Sequence, residues 1–204
     1  MPIKPQTDSS RPLCDGLILA GGQAKRFAGR PKGLVQFRGR PMVGRVAEML
    51  HSKVSRLMIS ANHDQAAYEP YADQIIADQL GDQWGPLAGI YTGLKRSTAN
   101  WLLVATCDQP LLPADYADRM IKLIDDDKTL IMAIDAERQH FLNLLIPTSF
   151  TDNLYQFLLG GERSAHRWLE TVNCRTVEFP LGSLDSINSQ TELVRCEANS
   201  DLLH

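Results

Sequence analysis

Residues 13–33 read LCDGLILAGGQAKRFAGRPKG, and the change of character after Ala20 decides the fold. Gly16-Leu17-Ile18-Leu19-Ala20 is a short continuous apolar run that stops at Gly21-Gly22. A run of this length, ended by glycines, fits a strand buried on both faces, as parallel strands are. From Gly21 to Gly33 the chain turns glycine-rich and basic.

Helical spacing of Val43, Val46, Ala47 and Leu50 behind Pro41 predicts a helix over 41–52. Strands are expected over 54–61 and 74–77, with a helix over 64–71 between them. The turn-rich GDQWGPLAG of 81–89 leads into a helix ending near Ser97, and WLLVA of 101–105 is the most strand-like segment. A helix is expected over 113–126, where Tyr116, Met120, Leu123 and Ile124 share a face. Strands over 130–134, 141–146 and 174–179 and helices over 150–159, 164–171 and 189–203 complete the reading. Strands alternating with helices predict an α/β protein: a three-layer α/β/α arrangement on a mostly parallel, Rossmann-like sheet with right-handed crossovers. Ligands bind such sheets beyond the carboxyl ends of the strands, so the residues that follow the strands are the site candidates.

The composition bounds the function classes. The 204 residues are 44% hydrophobic and 22% charged, which excludes disorder and suits one domain, expected over 13–204 behind a flexible leader of 1–12. Lysine plus arginine is 21 against 24 acids, a net charge of −3, so there is no basic surplus for nucleic acid. Cys14, Cys107, Cys174 and Cys196 have no zinc or dithiol spacing, which points to a reducing compartment. The leader has no apolar core, and no apolar run approaches the roughly 18 residues of a membrane span. A cytoplasmic protein with no membrane and no nucleic-acid partner is expected.

Three strand ends carry chemistry-bearing residues. After the first come Gly21, Gly22, Lys25, Arg26 and Lys32. Glycines let the backbone approach a ligand and expose successive N–H groups to phosphate oxygens, and the cations add charge. This is neither GxGxxG nor a P-loop, since Gly33 follows Lys32; a plain glycine turn with solvated lysines is the bland alternative. Asp108 follows the 101–105 strand, where a carboxylate is placed to hold Mg²⁺ with phosphate oxygens, or to cap the next helix. Asp78 follows the 74–77 strand, where it is placed to accept from a base or ribose, or to cap a loop. Together these features read as a nucleoside triphosphate site. The five histidines are scattered without metal spacing; His140 alone is a candidate near an acceptor, and Trp84 reads as an anchoring aromatic.

LAGGQAKRFAGRPKGL over 19–34 resembles the signature loop of nucleotidyltransferases that activate sugars or cofactors with an NTP, and within them is most similar to the molybdenum cofactor guanylyltransferases. Gly39-Arg40-Pro41, Gly85-Pro86-Leu87-Ala88-Gly89, Cys107-Asp108-Gln109-Pro110, Gly161-Glu162-Arg163 and Asn188 with Glu192-Leu193 follow in the family's order. The resemblance implies GTP and molybdopterin as partners, alongside molybdoenzyme-assembly proteins, and Mg²⁺ as cofactor. It implies that Leu19, Ala20, Gly21 and Gly22 hold the guanine nucleotide, with Ser60, Asn62 and Asp78 near it. Lys32 and Arg26 would neutralise phosphates, Asp108 would bind Mg²⁺, and Arg163 and Asn188 would lie toward the pterin. The LAGG form, rather than the PAAG form of the cytidylyl relatives, favours GTP over CTP. The chain departs from the family pattern at Pro31, Phe141, Ser164 and Ser186, and Ser60 stands where the family carries an Asn. CTP, another phosphorylated acceptor and a non-catalytic GTP-binding role therefore remain as alternatives.

Overall fold

The computed structural model describes residues 14–21, 27, 30–80, 84–125 and 128–199. The strands are β1 (Cys14–Leu19), β2 (Gln36–Phe37), β3 (Arg40–Pro41), β4 (Leu57–Ser60), β5 (Gln74–Ile76), β6 (Trp101–Thr106), β7 (Leu130–Ile134), β8 (Gln139–Pro147) and β9 (Cys174–Glu178). Seven of them form one sheet in the order β5-β4-β1-β6-β8-β7-β9, and β2 and β3 pair separately. All neighbours in the large sheet are parallel except the two contacts of β8.

The central strands β1 and β6 are apolar apart from the buried Asp15 in β1 and Thr106 at the end of β6, and their position explains it. Leu17 and Leu19 of β1 enter one core, while Cys14 and Ile18 enter the other. Trp101, Leu103 and Ala105 of β6 likewise face one side, and Leu102 and Val104 the other. Period-2 alternation is present, but both faces are covered, so both sets of residues are mostly apolar.

One face is covered by α1 (Met42–His51) and α4 (Tyr116–Ile121). The other is covered by α3 (Pro86–Arg96), α5 (Thr151–Leu159) and α6 (Ala165–Leu169). A third small core joins Phe27, Val35, Phe37 and Met42 to Ile187 and Leu193, docking α7 (Gln190–Asn199) beside the β2–β3 hairpin. The turn of that hairpin is Arg38-Gly39, both at positive φ (51° and 73°), the geometry that matches the strand twist.

Several expected elements come out differently. The 113–126 helix is only Tyr116–Ile121, because Leu123 and Ile124 close tight turns onto Met120 and Ile121. The 64–71 helix is α2 (Gln65–Tyr68) followed by a 3₁₀ turn, Glu69–Tyr71, since Pro70 lacks the N–H to continue an α ladder. The 164–171 and 189–203 helices shorten to α6 and α7 among the described residues. The strands at 130–134 and 141–146 are too close in sequence for a helical crossover. Asp135 N–H donates to Arg138 O at 3.0 Å and turns the chain, making β8 antiparallel. The leader, 1–12, lies outside the described residues. Among the described residues no helix is long and apolar enough to cross a membrane.

Candidate active site

β1, β4, β5 and β6 end on one rim. Backbone bonds carry the ladder past the strands: Ala20 N–H to Ser60 O at 2.9 Å, Ala61 N–H to Ile76 O at 2.9 Å, and Cys107 N–H to Leu19 O at 3.0 Å. These bonds fix the strand-end side chains relative to one another. A cleft of about 340 Å³ opens between them, lined by Leu19, Gly21, Lys32, Ser60, Asn62, Asp78, Gly89, Thr106 and Asp108, among others.

At one end of the cleft Asp78 is held rigidly. Its Oδ1 accepts from Ser60 Oγ at 2.8 Å and its Oδ2 from Asn62 Nδ2 at 3.1 Å. Its N–H donates to Asn62 Oδ1 at 2.8 Å. Gly89 of α3 faces this group. A Cβ there would lie 2.8 Å from Ser60 Oγ, 2.9 Å from Leu19 Cδ2 and 3.3 Å from Asp78 Oδ1. The glycine lets α3 pack directly against Ser60, Leu19 and Asp78 at this end of the cleft, where the carboxylate suits a base bearing N–H donors.

At the other end the charges meet. Lys32 Nζ donates to Asp108 Oδ2 and, at 2.6 Å, to Asn188 Oδ1. Thr106 Oγ1 donates to Asp108 Oδ1. The Lys32 and Asp108 side chains are only 19% and 14% exposed, so solvent screens the pair weakly. Lys32 reaches this position because Gly33 packs flat. A Cβ on Gly33 would lie 3.1 Å from Cys107 Cβ and 3.1 Å from Tyr68 Cε1. Asn188 arrives on the 184–188 segment, which Ile187 N–H pins to Asp108 O at 2.9 Å. The buried Gln109 side chain reinforces that pin, donating to Leu184 O at 2.7 Å and to Asn143 Oδ1 at 2.8 Å. Asn143 Nδ2 returns a bond to Gln109 Oε1 at 2.9 Å.

Burial, and then the Asp108 carboxylate, push the Cys107 thiol up to about 12, so it offers no thiolate nucleophile near pH 7. Among the described residues no group of three or more His, Cys, Asp or Glu gathers to hold a metal. The Asp108 carboxylate on the cleft wall instead fits a hard cation that arrives with phosphate oxygens, the donor set Mg²⁺ takes in nucleotide sites.

A second cavity, of about 370 Å³, shares Pro86, Thr106 and Leu142 with the first. It extends over β8 and is lined by Gln109, His140, Phe141, Asn143, Ser164, His166 and Ser186. The two abut along those shared residues.

Of the residues expected from sequence, Leu19, Gly21, Lys32, Ser60, Asn62, Asp78 and Asp108 converge on the first cleft, and Ala20 extends β1 beneath it. Asn188 meets Lys32 directly. Gly22 and Arg26 lie outside the described residues. Arg163 stacks 3.6 Å over the Trp84 ring and donates to Leu158 O and Glu162 O, both at 2.7 Å, clamping the turn ahead of α3 and lining neither cavity. Sequence reasoning passed over Thr106, Gln109 and Asn143. The signal for Asn143 was a polar residue inside the apolar run FLNLLI of 141–146.

A family described as the MobA-like NTP transferase domain matches residues 16–177. A molybdenum cofactor guanylyltransferase from Shewanella sediminis is 36% identical over 166 residues, 81% of this chain and 85% of its own. Molybdopterin-guanine dinucleotide biosynthesis protein A from Archaeoglobus fulgidus superposes with a TM-score of 0.72 at 21% identity, over 92% of this chain and 99% of its own. A Mycobacterium tuberculosis protein in complex with manganese superposes with a TM-score of 0.67 at 14% identity, over 92% of this chain and 99% of its own.

Proposed function

The chain belongs to the MobA-like NTP transferase family, and we propose that it transfers GMP from GTP to the terminal phosphate of molybdopterin, releasing pyrophosphate and forming molybdopterin guanine dinucleotide. One observation carries this reading: a single cleft has the Asp78 acceptor group at one end and Lys32 and Asp108 at the other, with Asn188 bonded to Lys32. The guanylyltransferase name of the Shewanella relative supports the choice of nucleotide and acceptor.

In this reading the Leu19-Ala20 backbone and Asp78, with Ser60 and Asn62, take the guanine end. The amides of Gly21 and Gly22, with Lys32 and Arg26, take the phosphates. Asp108 would hold Mg²⁺, which would supply charge neutralisation for the phosphates and the leaving pyrophosphate; the manganese complex of a structural neighbour is in keeping with a divalent cation. The second cavity takes the acceptor, with Asn188 reaching Lys32 and Arg163 clamping the turn ahead of α3.

An acceptor phosphate oxygen attacks the α-phosphorus, the bond to the bridging oxygen breaks, and pyrophosphate leaves. The acceptor phosphate is already ionised near neutrality, since its second pKa is about 6, so no side chain has to remove a proton. The obstacle is anion repulsion. Two unit charges 4 Å apart repel by about 4 kcal/mol at an effective dielectric of 20. The Lys32 ammonium, poised in a poorly screened pocket, offsets that repulsion where it develops. Its partner in the structure is the Asp108 carboxylate.

We read residues 13–204 as one nucleotidyltransferase domain behind the 1–12 leader, acting in the cytoplasm and delivering product to molybdoenzyme-assembly proteins. The test is incubation of the protein with molybdopterin and either MgGTP or MgCTP, scoring the dinucleotide by mass and pyrophosphate in parallel. Guanine dinucleotide with matching pyrophosphate is expected. A preference for CTP, or GTP binding with no pyrophosphate release, would overturn the reading.

A further inference from the structure

Asp135 and His140 are 6% and 8% exposed, and nothing in the nucleotide chemistry uses them. They sit on the β7–β8 hairpin, and His140 lines the second cavity. Asp135 Oδ1 accepts from the backbone N–H of Glu137 at 2.8 Å and of Arg138 at 2.9 Å. Its Oδ2 faces His140 Nε2 at 2.7 Å. Burial raises the Asp135 carboxyl, but His140 and the two amides outweigh it and hold the group below its ordinary 3.8. An ionised carboxylate only accepts, so Nε2 must carry the proton. In the neutral ring, Nδ1 then presents a lone pair whose tautomer is fixed by the other nitrogen.

The rest of that cavity sharpens what Nδ1 is for. Among the described residues no Lys, Arg, Asp or Glu lines it, so it does not suit a charged group. The amides of Gln109 and Asn143 spend themselves on each other. Ser164 Oγ caps α6 by accepting from Arg167 N–H. Phe141 beside His166 offers a flat apolar wall. What is left is a tautomer-locked acceptor beside an aromatic surface, the recognition chemistry for a neutral heteroaromatic ring bearing N–H donors.

We propose that His140, oriented by Asp135, is a specificity-determining residue of the acceptor subsite, accepting a hydrogen bond at Nδ1 from an N–H of the pterin. Asp135 acts through His140 and is a positioning residue. This role rests on the reading of the second cavity as the acceptor's.

Asp135→Asn isolates the tautomer. The two backbone amides hold an oxygen at the Oδ1 position, so the carboxamide nitrogen must face His140 Nε2. That donor forces the proton onto Nδ1 and turns the acceptor into a donor, with packing preserved. Nitrogen-15 NMR of the imidazole should show His140 protonated at Nε2 in the wild type and at Nδ1 in the variant. The KM for molybdopterin should rise about tenfold, the loss expected for one buried hydrogen bond left unmade. The KM for GTP and kcat should stay near wild type. Should Asp135→Asn fail to fold, His140→Gln keeps a donor toward Asp135 while deleting Nδ1, and the same KM split is expected. A switched tautomer with an unchanged molybdopterin KM, an unchanged KM in His140→Gln, or a wild-type ring protonated at Nδ1 would overturn the role. A wild type that makes no dinucleotide refutes the proposed function itself and the His140 role with it; one that turns over while the variants are indifferent refutes only the role.

Discussion

Asp108 works by charge and Gly89 by the absence of a side chain. Asp108→Asn keeps a group able to meet Thr106 and Lys32 but removes the charge that, in the proposed reaction, would tether a cation. Pyrophosphate release should fall by roughly 10²-fold or more, the scale of losing one transition-state electrostatic contact. Lys32→Ala should both raise the GTP KM and lower kcat, because the ammonium is placed to meet phosphate before and during transfer. Gly89→Ala would put a methyl 2.8 Å from Ser60 Oγ and 2.9 Å from Leu19 Cδ2. Alanine raises helix propensity by about 1 kcal/mol over glycine, yet overpacking costs about 1–3 kcal/mol, so the clash wins. Since Ser60 also holds Asp78, that strain falls on the base end. Calorimetric titration should show weaker GTP binding; unaltered affinity would show that the Asp78 end does not hold the base.

At the scale of elements, the 184–188 segment is a strap bonded to the end of β6. Gln109 holds it through Leu184 O and is itself held by Asn143 of β8. Gln109→Ala leaves an Asn143 amide and a carbonyl buried without that partner, which costs about 1–3 kcal/mol for each group left unsatisfied. The expected result is a lower denaturation midpoint together with a raised GTP KM, because Asn188 rides on the same strap to Lys32. A midpoint shift without a kinetic change would separate the strap from the site. The β7–β8 hairpin would play the parallel role for the proposed acceptor side, since its turn carries Asp135 and its second strand His140 and Asn143.

The whole molecule carries buried protonatable groups whose neutral forms the fold prefers. Burial pushes the Cys14 and Cys107 thiols from 9.0 up to about 12, and raises the Tyr68 and Tyr116 hydroxyls well above their ordinary 10.0. An acid raised in the folded state contributes stability that is complete below its unfolded pKa and is lost as pH rises toward the folded value. Stability should therefore fall steeply above about pH 9, read as the urea midpoint between pH 7 and pH 11; a flat profile would contradict the burial. Asp135 has the opposite sign. Its lowered carboxyl contributes above 3.8, and the contribution is lost as pH falls below that.

The fold class and half of the site were legible in one dimension because their causes are local. An unbroken apolar run states that a strand has two covered faces. Glycine followed by lysine at a strand end states that backbone and cation are offered to a ligand. Asp78 and Asp108 were identifiable because each closes a strand whose end must face the ligand edge of a parallel sheet. What the sequence left open depends on residues far apart along the chain. The reversal of β8, the strap, the Gln109–Asn143 pair and the meeting of Lys32 with Asn188, 156 residues apart, arise from strand order and from hydrogen bonds between distant segments. A buried polar side chain has to find its partner wherever packing brings one, and one-dimensional spacing carries no record of that choice.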